Sequence, residues 1–96
     1  MAKKKKKLPP FDKRFPPRES EALQALAANV RHARNLKNWS QSRLASEASL
    51  DQNAISLIEN ARSNLTVLVL EEIARALDLP LRDLFRPPPP AEDETR

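Results

Sequence analysis

The chain has 96 residues, a formal net charge of +4 and a hydrophobic content of 40%. It contains no cysteine, which excludes disulfides and thiolate metal sites, and no apolar run approaches the length that spans a membrane. We therefore expect one domain, and a cytoplasmic location is the default because prolines follow the N-terminal lysines where a signal peptide would have an apolar stretch.

The positive charge lies mainly in the first 18 residues. These carry eight basic side chains against one acidic one, whereas residues 19–85 carry seven against nine. The pattern divides the chain into a basic, proline-containing arm (1–18), a central domain (19–86) and a proline-rich, acidic tail (87–96) that is expected to be disordered. The arm is suited to tracking DNA phosphates, and a role in solubility or a nuclear-signal lookalike is the alternative. Its lysine run is Lys3, Lys4, Lys5, Lys6 and Lys7.

The spacing of apolar residues predicts five short helices and no strands. The first follows Ser20 and ends near Asn38 after roughly 15 residues. Thr66 is expected to cap a fourth helix that runs to Leu77, and Pro80 to open a short last helix that the proline run closes. The core-facing residues predicted for the first and fourth helices are Leu23, Leu26, Val30, Ala33, Val67, Leu70, Ile73, Ala74 and Leu77.

Between these helices, residues 41–60 predict two more helices joined by a tight break. Ser40 and Asp51 are the expected N-caps, and Leu50 fills the angle between the helices. Small Ala45 allows two helices that meet near a right angle to approach closely. This pattern is a helix-turn-helix and predicts a reader of double-stranded DNA, with an ordinary helical hairpin as the alternative. The inward residues are Leu44, Ala45, Ala48, Ile55 and Ile58.

Three groups of residues carry a family resemblance: Ser40-Gln41 at the start of the second helix, ISLIEN at 55–60, and IARAL at 73–77 followed by Leu79 and Leu84. Over residues 23–85 the chain resembles the Cro/Xre-type helix-turn-helix family of lambda-repressor-like DNA-binding domains. The resemblance implies an all-α bundle of four or five helices in the bacterial cytoplasm or nucleoid. It also implies a dimeric transcription regulator with a palindromic operator.

The chain has no glycine, although the family usually places glycine at four helix ends. Those places hold Asn38, Ser49, Ala61 and Asp78. Asn and Asp tolerate the left-handed backbone region, whereas Ala61 would bear about 1 kcal/mol at positive φ. We therefore expect either that Asn60 takes the left-handed position or that the corner departs from the usual geometry.

Outward residues at the start of the third helix are expected to meet base edges. Gln52 and Asn53 can each form a bidentate pair with adenine, and Ser56 is an adaptable donor or acceptor, which predicts an A·T-containing half-site. By resemblance, Gln52 and Asn53 hold the family's base-reading positions and Leu57 a third. Leu57 could contact a thymine methyl or remain an exposed or interface leucine.

Four further residues are expected to contact phosphates. Gln41 opens the second helix, where its amide and the helix N-terminus can hold one phosphate, and Arg43 can reach the backbone. Asn60 and Arg62 match the family's phosphate-contacting corner, with simple solvation as the alternative for Arg62. Together these residues would position the protein on the duplex without reading bases.

The fourth helix carries more apolar residues than its core face needs. We expect a symmetric homodimer contact to cover the excess. Cover by Phe11 and Phe15 of the arm, which would leave a monomer, is the alternative. The residues predicted for the dimer contact are Leu65, Leu68, Val69, Leu81 and Phe85.

The remaining polar and aromatic residues indicate no enzyme, cofactor or metal site. Trp39 precedes a cap and is expected to pack on the following turn rather than stack on bases. His32 has no acidic or cysteine partner at metal-ligand spacing. Glu71 and Glu72 project in different directions and cannot work as an acid and base pair.

The leading interpretation is a sequence-specific transcription regulator, more often a repressor for so short a chain. The family resemblance also allows an antitoxin that binds a toxin, or a controller of restriction-modification genes. A protein-interaction module with only non-specific DNA affinity is the alternative from another class, since a fold does not fix a function.

Overall fold

The computed structural model describes residues 20–62 and 65–88, and in these ranges it has four α-helices and a 3₁₀ helix, without strands. The α-helices are α1 (Glu21–Leu36), α2 (Gln41–Glu47), α3 (Gln52–Glu59) and α4 (Val67–Ala76), and the 3₁₀ helix is Leu81–Phe85. The predicted all-α class and helix order are confirmed. No helix of the described ranges is long and apolar enough to cross a membrane.

Several predictions concern parts of the chain that lie outside the described residues. They are the phosphate-tracking role of Lys3 to Lys7, the covering role of Phe11 and Phe15, and the disorder of the tail beyond residue 88. These stay predictions.

Each α-helix begins at a side-chain cap; the sequence predicts the caps Ser40, Asp51 and Thr66, and a first helix that follows Ser20. The side-chain oxygens of Ser20, Ser40, Asp51 and Thr66 accept hydrogen bonds from the backbone N–H three residues later, at 2.9 to 3.2 Å. Each cap satisfies an N–H that has no partner within its helix. The starting residues of all four helices are therefore set by local chemistry.

Each α-helix ends on a residue with positive φ that is not glycine: Asn38 (61°), Ser49 (59°), Ala61 (57°) and Asp78 (61°). The next residue's N–H donates to the carbonyl five positions earlier, at 2.8 to 3.2 Å, which is a Schellman motif. The expected shift to Asn60 is wrong, because Asn60 has φ −103° and its N–H bonds to the helix. Ala61 keeps the family geometry and bears the steric cost.

The core lies where the four α-helices meet, and the 3₁₀ helix closes one end. Leu23 and Ala33 pack against it only partly buried, and Val67, predicted to face it, is 60% exposed. The core-facing prediction for Val67 is wrong: it has the helical spacing of the core residues, but it lies in the first turn of α4, where residues 66–68 are all exposed. The buried cluster is Leu26, Val30, Leu44, Ala45, Ala48, Ile55, Ile58, Leu70, Ile73, Ala74, Leu77 and Leu84.

Asn29 joins the 3₁₀ helix to α1. Its Nδ2 donates to the carbonyl oxygens of Leu84 at 3.0 Å and Arg86 at 2.8 Å. Because a short 3₁₀ helix is weak by itself, these bonds and the burial of Leu84 hold it in place. The middle of α1 is thus tied to the 3₁₀ helix.

Candidate nucleic-acid interface

The α2–α3 pair has the packing that the sequence predicts. Residues 48–51 separate the two helices, and the inward Ala45 and Ala48 are buried at 3% and 1% exposure. Their small side chains allow the two helix backbones to approach. Leu50 lies partly buried against the core at the angle between the helices. The pair is a helix-turn-helix.

The residues predicted to read bases lie together on the outer side of α3. Gln52 and Asn53 are exposed at its first turn, Ser56 is partly exposed one turn later, and Leu57 is 38% exposed. The inner side holds Ile55, which is fully buried. The structure therefore brings the four residues onto one accessible surface, the surface that a major groove would receive.

Gln52 is held by α2. Its Oε1 accepts a hydrogen bond from Ser42 Oγ at 3.0 Å, and its Nε2 donates to Gln41 Oε1 at 3.4 Å. Gln41 Nε2 in turn donates to Glu59 Oε1 at 3.1 Å. Gln41, expected to clamp a phosphate, is thus bonded within the protein on both sides of its amide. One of its two N–H bonds stays available for an anion.

A buried ion pair, which the sequence analysis did not predict, lies behind these glutamines. Glu59 is 4% exposed. Arg34 donates two hydrogen bonds to its carboxylate, from Nε to Oε2 at 2.7 Å and from Nη2 to Oε1 at 2.9 Å. The hydrogen bond from Arg34 to Glu59 raises the pKa of the Arg34 guanidinium, against the opposing effect of burial. Arg34 Nη1 also donates to the Trp39 carbonyl at 2.8 Å, so the pair joins α1, α3 and the connection that precedes α2.

One sequence signal could have found this ion pair. Glu59 lies four residues after Ile55 and so belongs to the buried side of α3. A carboxylate on a buried helix face needs a partner, and α1 carries Arg31 and Arg34. Arg31 bonds to the Glu59 backbone carbonyl at 2.7 Å, which adds to the same junction. Among the described residues, every buried side-chain nitrogen and oxygen has a partner.

The other residues expected at phosphates are placed at the edge of this surface. Arg43 pairs with Glu47 at 2.8 Å, Asn60 Nδ2 donates to the Ser56 carbonyl at 2.8 Å, and Arg62 is exposed. Arg62 directly follows the left-handed Ala61, which turns the chain at the end of α3. Arg43 and Asn60 are thus bonded within the protein, and Arg62 is exposed directly after the turn.

Trp39 packs against the core, as predicted for a residue before a cap. Two cations lie near its ring, one from a residue before Trp39 in the chain and one from a residue after it. Lys37 Nζ and the Arg43 guanidinium carbon each lie 5.0 Å from the ring centroid. The indole is therefore occupied by protein groups, which supports the prediction that it is not a stacking platform for bases.

The residues predicted for a dimer contact divide into two groups. Leu65, Val69 and Leu81 are partly buried against the protein's own core, so part of the apolar excess is covered within the chain. Leu68 is 72% exposed and Phe85 41% exposed. With Val67 exposed as well, the uncovered apolar surface of α4 is its first turn, residues 67 and 68.

Comparisons with known proteins agree with this geometry. A helix-turn-helix family model matches residues 30–84, which is more than half of the chain. A protein of Neisseria meningitidis serogroup B (strain ATCC BAA-335 / MC58), described as a hypothetical transcription factor, is 36% identical over 72 residues, covering 75% of this chain and 68% of the relative.

Two solved structures have the same fold. The hypothetical transcription factor NHTF from Neisseria has a TM-score of 0.69 and 32% identity, covering 78% of this chain and 84% of its own. The restriction-modification controller protein C.AhdI from Aeromonas hydrophila has a TM-score of 0.63 and 30% identity, covering 66% of this chain and 96% of its own. The chain therefore belongs to the Cro/C1-type helix-turn-helix family of DNA-binding transcriptional regulators.

Proposed function

We propose that the protein is a sequence-specific regulator that binds a palindromic operator as a homodimer, with α3 in the major groove. The observation that carries this proposal is the first turn of α3, where Gln52 and Asn53 are exposed. Gln52 is also held in place, because its side chain accepts one hydrogen bond from α2 and donates another to it. A restrained amide loses less rotational freedom on pairing with a base, so it discriminates better than a mobile one.

Base reading is assigned to Gln52, Asn53 and Ser56, and Leu57 is proposed to contact a thymine methyl. The amides can pair with N6 and N7 of adenine, and the leucine side chain supplies apolar area at the same surface. This set of groups favours A·T pairs in each half-site.

Backbone contacts are assigned to the residues at the two ends of this surface. Gln41 and Arg43 lie on α2, and Asn60 and Arg62 follow α3. Because residues 19–85 carry more acidic than basic side chains, these few contacts give limited affinity by themselves. We propose that Lys3 to Lys7 supply the rest of the positive charge.

Dimerisation is proposed through the exposed first turn of α4. A contact of this surface with its own copy would bury Leu68 on both protomers and fix the distance between two recognition helices. A two-fold dimer of this kind reads an inverted repeat whose half-sites lie one helical turn apart.

Selection of bound sites from a random duplex pool at physiological salt tests the proposal. Enrichment of an inverted repeat with A·T pairs in each half-site is expected for the full chain. A variant with Lys3 to Lys7 replaced by glutamine should enrich the same repeat with lower affinity. If the full chain enriches no sequence and the glutamine variant loses binding, the affinity is non-specific and the protein is better explained as an interaction module.

A second candidate is a controller of restriction-modification genes. The similarity to C.AhdI favours it, since the likeness extends over 96% of that protein. The enriched repeat should then lie upstream of a restriction or methyltransferase gene in the source genome. A repeat found beside a toxin gene would favour the antitoxin alternative instead, with the toxin as the protein partner.

A further inference from the structure

Lys37, Trp39 and Arg43 form a stacked group, which we call the tryptophan clamp. Both cations lie 5.0 Å from the indole centroid, a distance at which the ring attracts a cation. Each cation also has a carboxylate partner: Lys37 Nζ lies 3.2 Å from Asp78 Oδ2, and Arg43 Nε lies 2.8 Å from Glu47 Oε2. Each positive group is thus held between the indole ring and a carboxylate.

The tryptophan clamp lies at the edge of the base-reading surface. Arg43 directly follows Ser42, whose hydroxyl bonds to Gln52 at the start of α3. Trp39 precedes Ser40, the cap of α2. When α3 enters a major groove, the first turn of the preceding helix lies along the phosphate backbone at the groove edge. In that arrangement the clamp, which lies at the start of α2, would lie near the phosphates of one strand.

We propose that Trp39 is a positioning residue that holds Lys37 and Arg43 for contact with backbone phosphates. The inference rests on the proposed DNA binding and adds Lys37 to the residues assigned to phosphates. Lys37 and Arg43 are 31% and 55% exposed, so both are open to an incoming anion. Exposed ion pairs are weak, and a phosphate can replace either carboxylate while the contact with the ring is kept.

The gain expected from the ring is pre-organisation. Immobilising one long side chain on binding reduces affinity by about two- to tenfold, and the ring removes part of this cost before DNA arrives. Trp39→Leu should therefore weaken binding by about two- to tenfold. Trp39→Phe keeps an aromatic face and should restore most of the affinity.

A mutant cycle on a mixed-sequence duplex tests the proposal without requiring the operator. Trp39→Leu is measured in the native chain and in a Lys37→Ala, Arg43→Ala chain, over a series of salt concentrations. In the second chain its effect should fall below about twofold, because no cation is left to position. Lys37→Ala and Arg43→Ala should each lower the slope of log affinity against log salt by about one. Arg75→Ala, which removes an exposed cation paired with Glu72 on α4, is the matched control and should leave the slope unchanged.

Each outcome is decisive when the variants are shown by thermal unfolding to be folded at the temperature of measurement. Equal losses from Trp39→Leu in both chains would overturn the proposal, since the residue would then act only through the core. Unchanged salt slopes for Lys37→Ala and Arg43→Ala would overturn it as well. If the native chain binds no duplex at all, the proposed DNA-binding function is refuted, which is a different result from failure of the clamp alone.

Discussion

At the scale of the residue, Ala61 shows a helix end kept at a steric cost. Its φ of 57° lies in the left-handed region, where a Cβ atom is unfavourable. Asn38 and Asp78 hold the same geometry at lower cost, because their short polar side chains tolerate it. Ala61 is also buried, at 8% exposure, so the burial of its methyl group offsets part of the steric cost.

We expect Ala61→Gly to stabilise the protein by at most about 1 kcal/mol, because glycine removes the clash at positive φ but gives up the burial of one methyl group. Urea unfolding followed by circular dichroism measures the change. Ala28→Gly, in the middle of α1, is the control and should destabilise by about 1 kcal/mol, since there glycine only loosens a helix. Loss of stability in both variants would contradict the assignment of strain to Ala61.

Substitutions at two surface residues test the proposed division between base reading and backbone contact. Asn53→Ala should reduce discrimination at one base position by about 1–3 kcal/mol, because a bidentate pair is lost. Arg62→Ala should weaken binding to all sequences alike and lower the salt slope by about one. Affinities for the selected operator and for its single-base variants measure both effects. Equal loss of discrimination in the two variants would refute the division.

At the scale of the element, the junction of α1, α2 and α3 is held by polar contacts as well as by the core. The buried carboxylate of Glu59 accepts bonds from Arg34 and Gln41, and Gln41 accepts one from Gln52. A chain of bonds therefore runs from the body of the protein to the first residue of α3. Such a chain fixes the recognition helix only while every member is paired.

We expect Glu59→Ala to destabilise the protein by about 3–5 kcal/mol, because it leaves the Arg34 guanidinium largely buried without its carboxylate. Glu72→Ala breaks an exposed pair with Arg75 and should change stability by about 0.5 kcal/mol or less. Chemical denaturation of both variants gives the comparison. Similar small effects would mean that the buried pair contributes no more than a surface pair.

At the scale of the whole molecule, the chain has a small core and an uncovered apolar turn. The central domain is about the size at which a single core is marginal. Val67 and Leu68 are exposed at 60% and 72%, and association would bury them. A dimer would therefore add stability to the domain as well as set the spacing of its two recognition helices.

We expect Leu68→Glu to dissociate the homodimer, because it places a charge in the proposed apolar contact. Sedimentation equilibrium of the full chain measures the change in mass. Leu36→Glu is a matched control, since Leu36 is also 72% exposed but lies at the end of α1, and it should leave the dimer intact. If the dimer persists in Leu68→Glu, the dimer contact lies elsewhere on the protein. If the native chain sediments as a monomer, the proposed dimer is refuted.

Helix starts and ends could be predicted here because their causes are local. Ser40 and Thr66 cap within three residues of their own position, and Asp78 turns the chain where the helical pattern stops. The exposure of Val67 could not be predicted, because the apolar pattern shows which side of a helix faces the core and not which of its turns other parts of the chain cover. The outward position of Gln52, Asn53, Ser56 and Leu57 could be predicted because position on α3 decides which residues face outward, while their reading of bases stays a prediction.

The sequence by itself determined the fold class, the helix-turn-helix and the outward face of α3, since these follow from periodicity, caps and turn residues within short stretches of chain. Tertiary structure alone decided the partners of Glu59 and the exposure of the first turn of α4. Glu59 meets Arg34 across 25 residues of sequence. No local pattern encodes such a meeting, because it depends on how the packed helices bring distant side chains together.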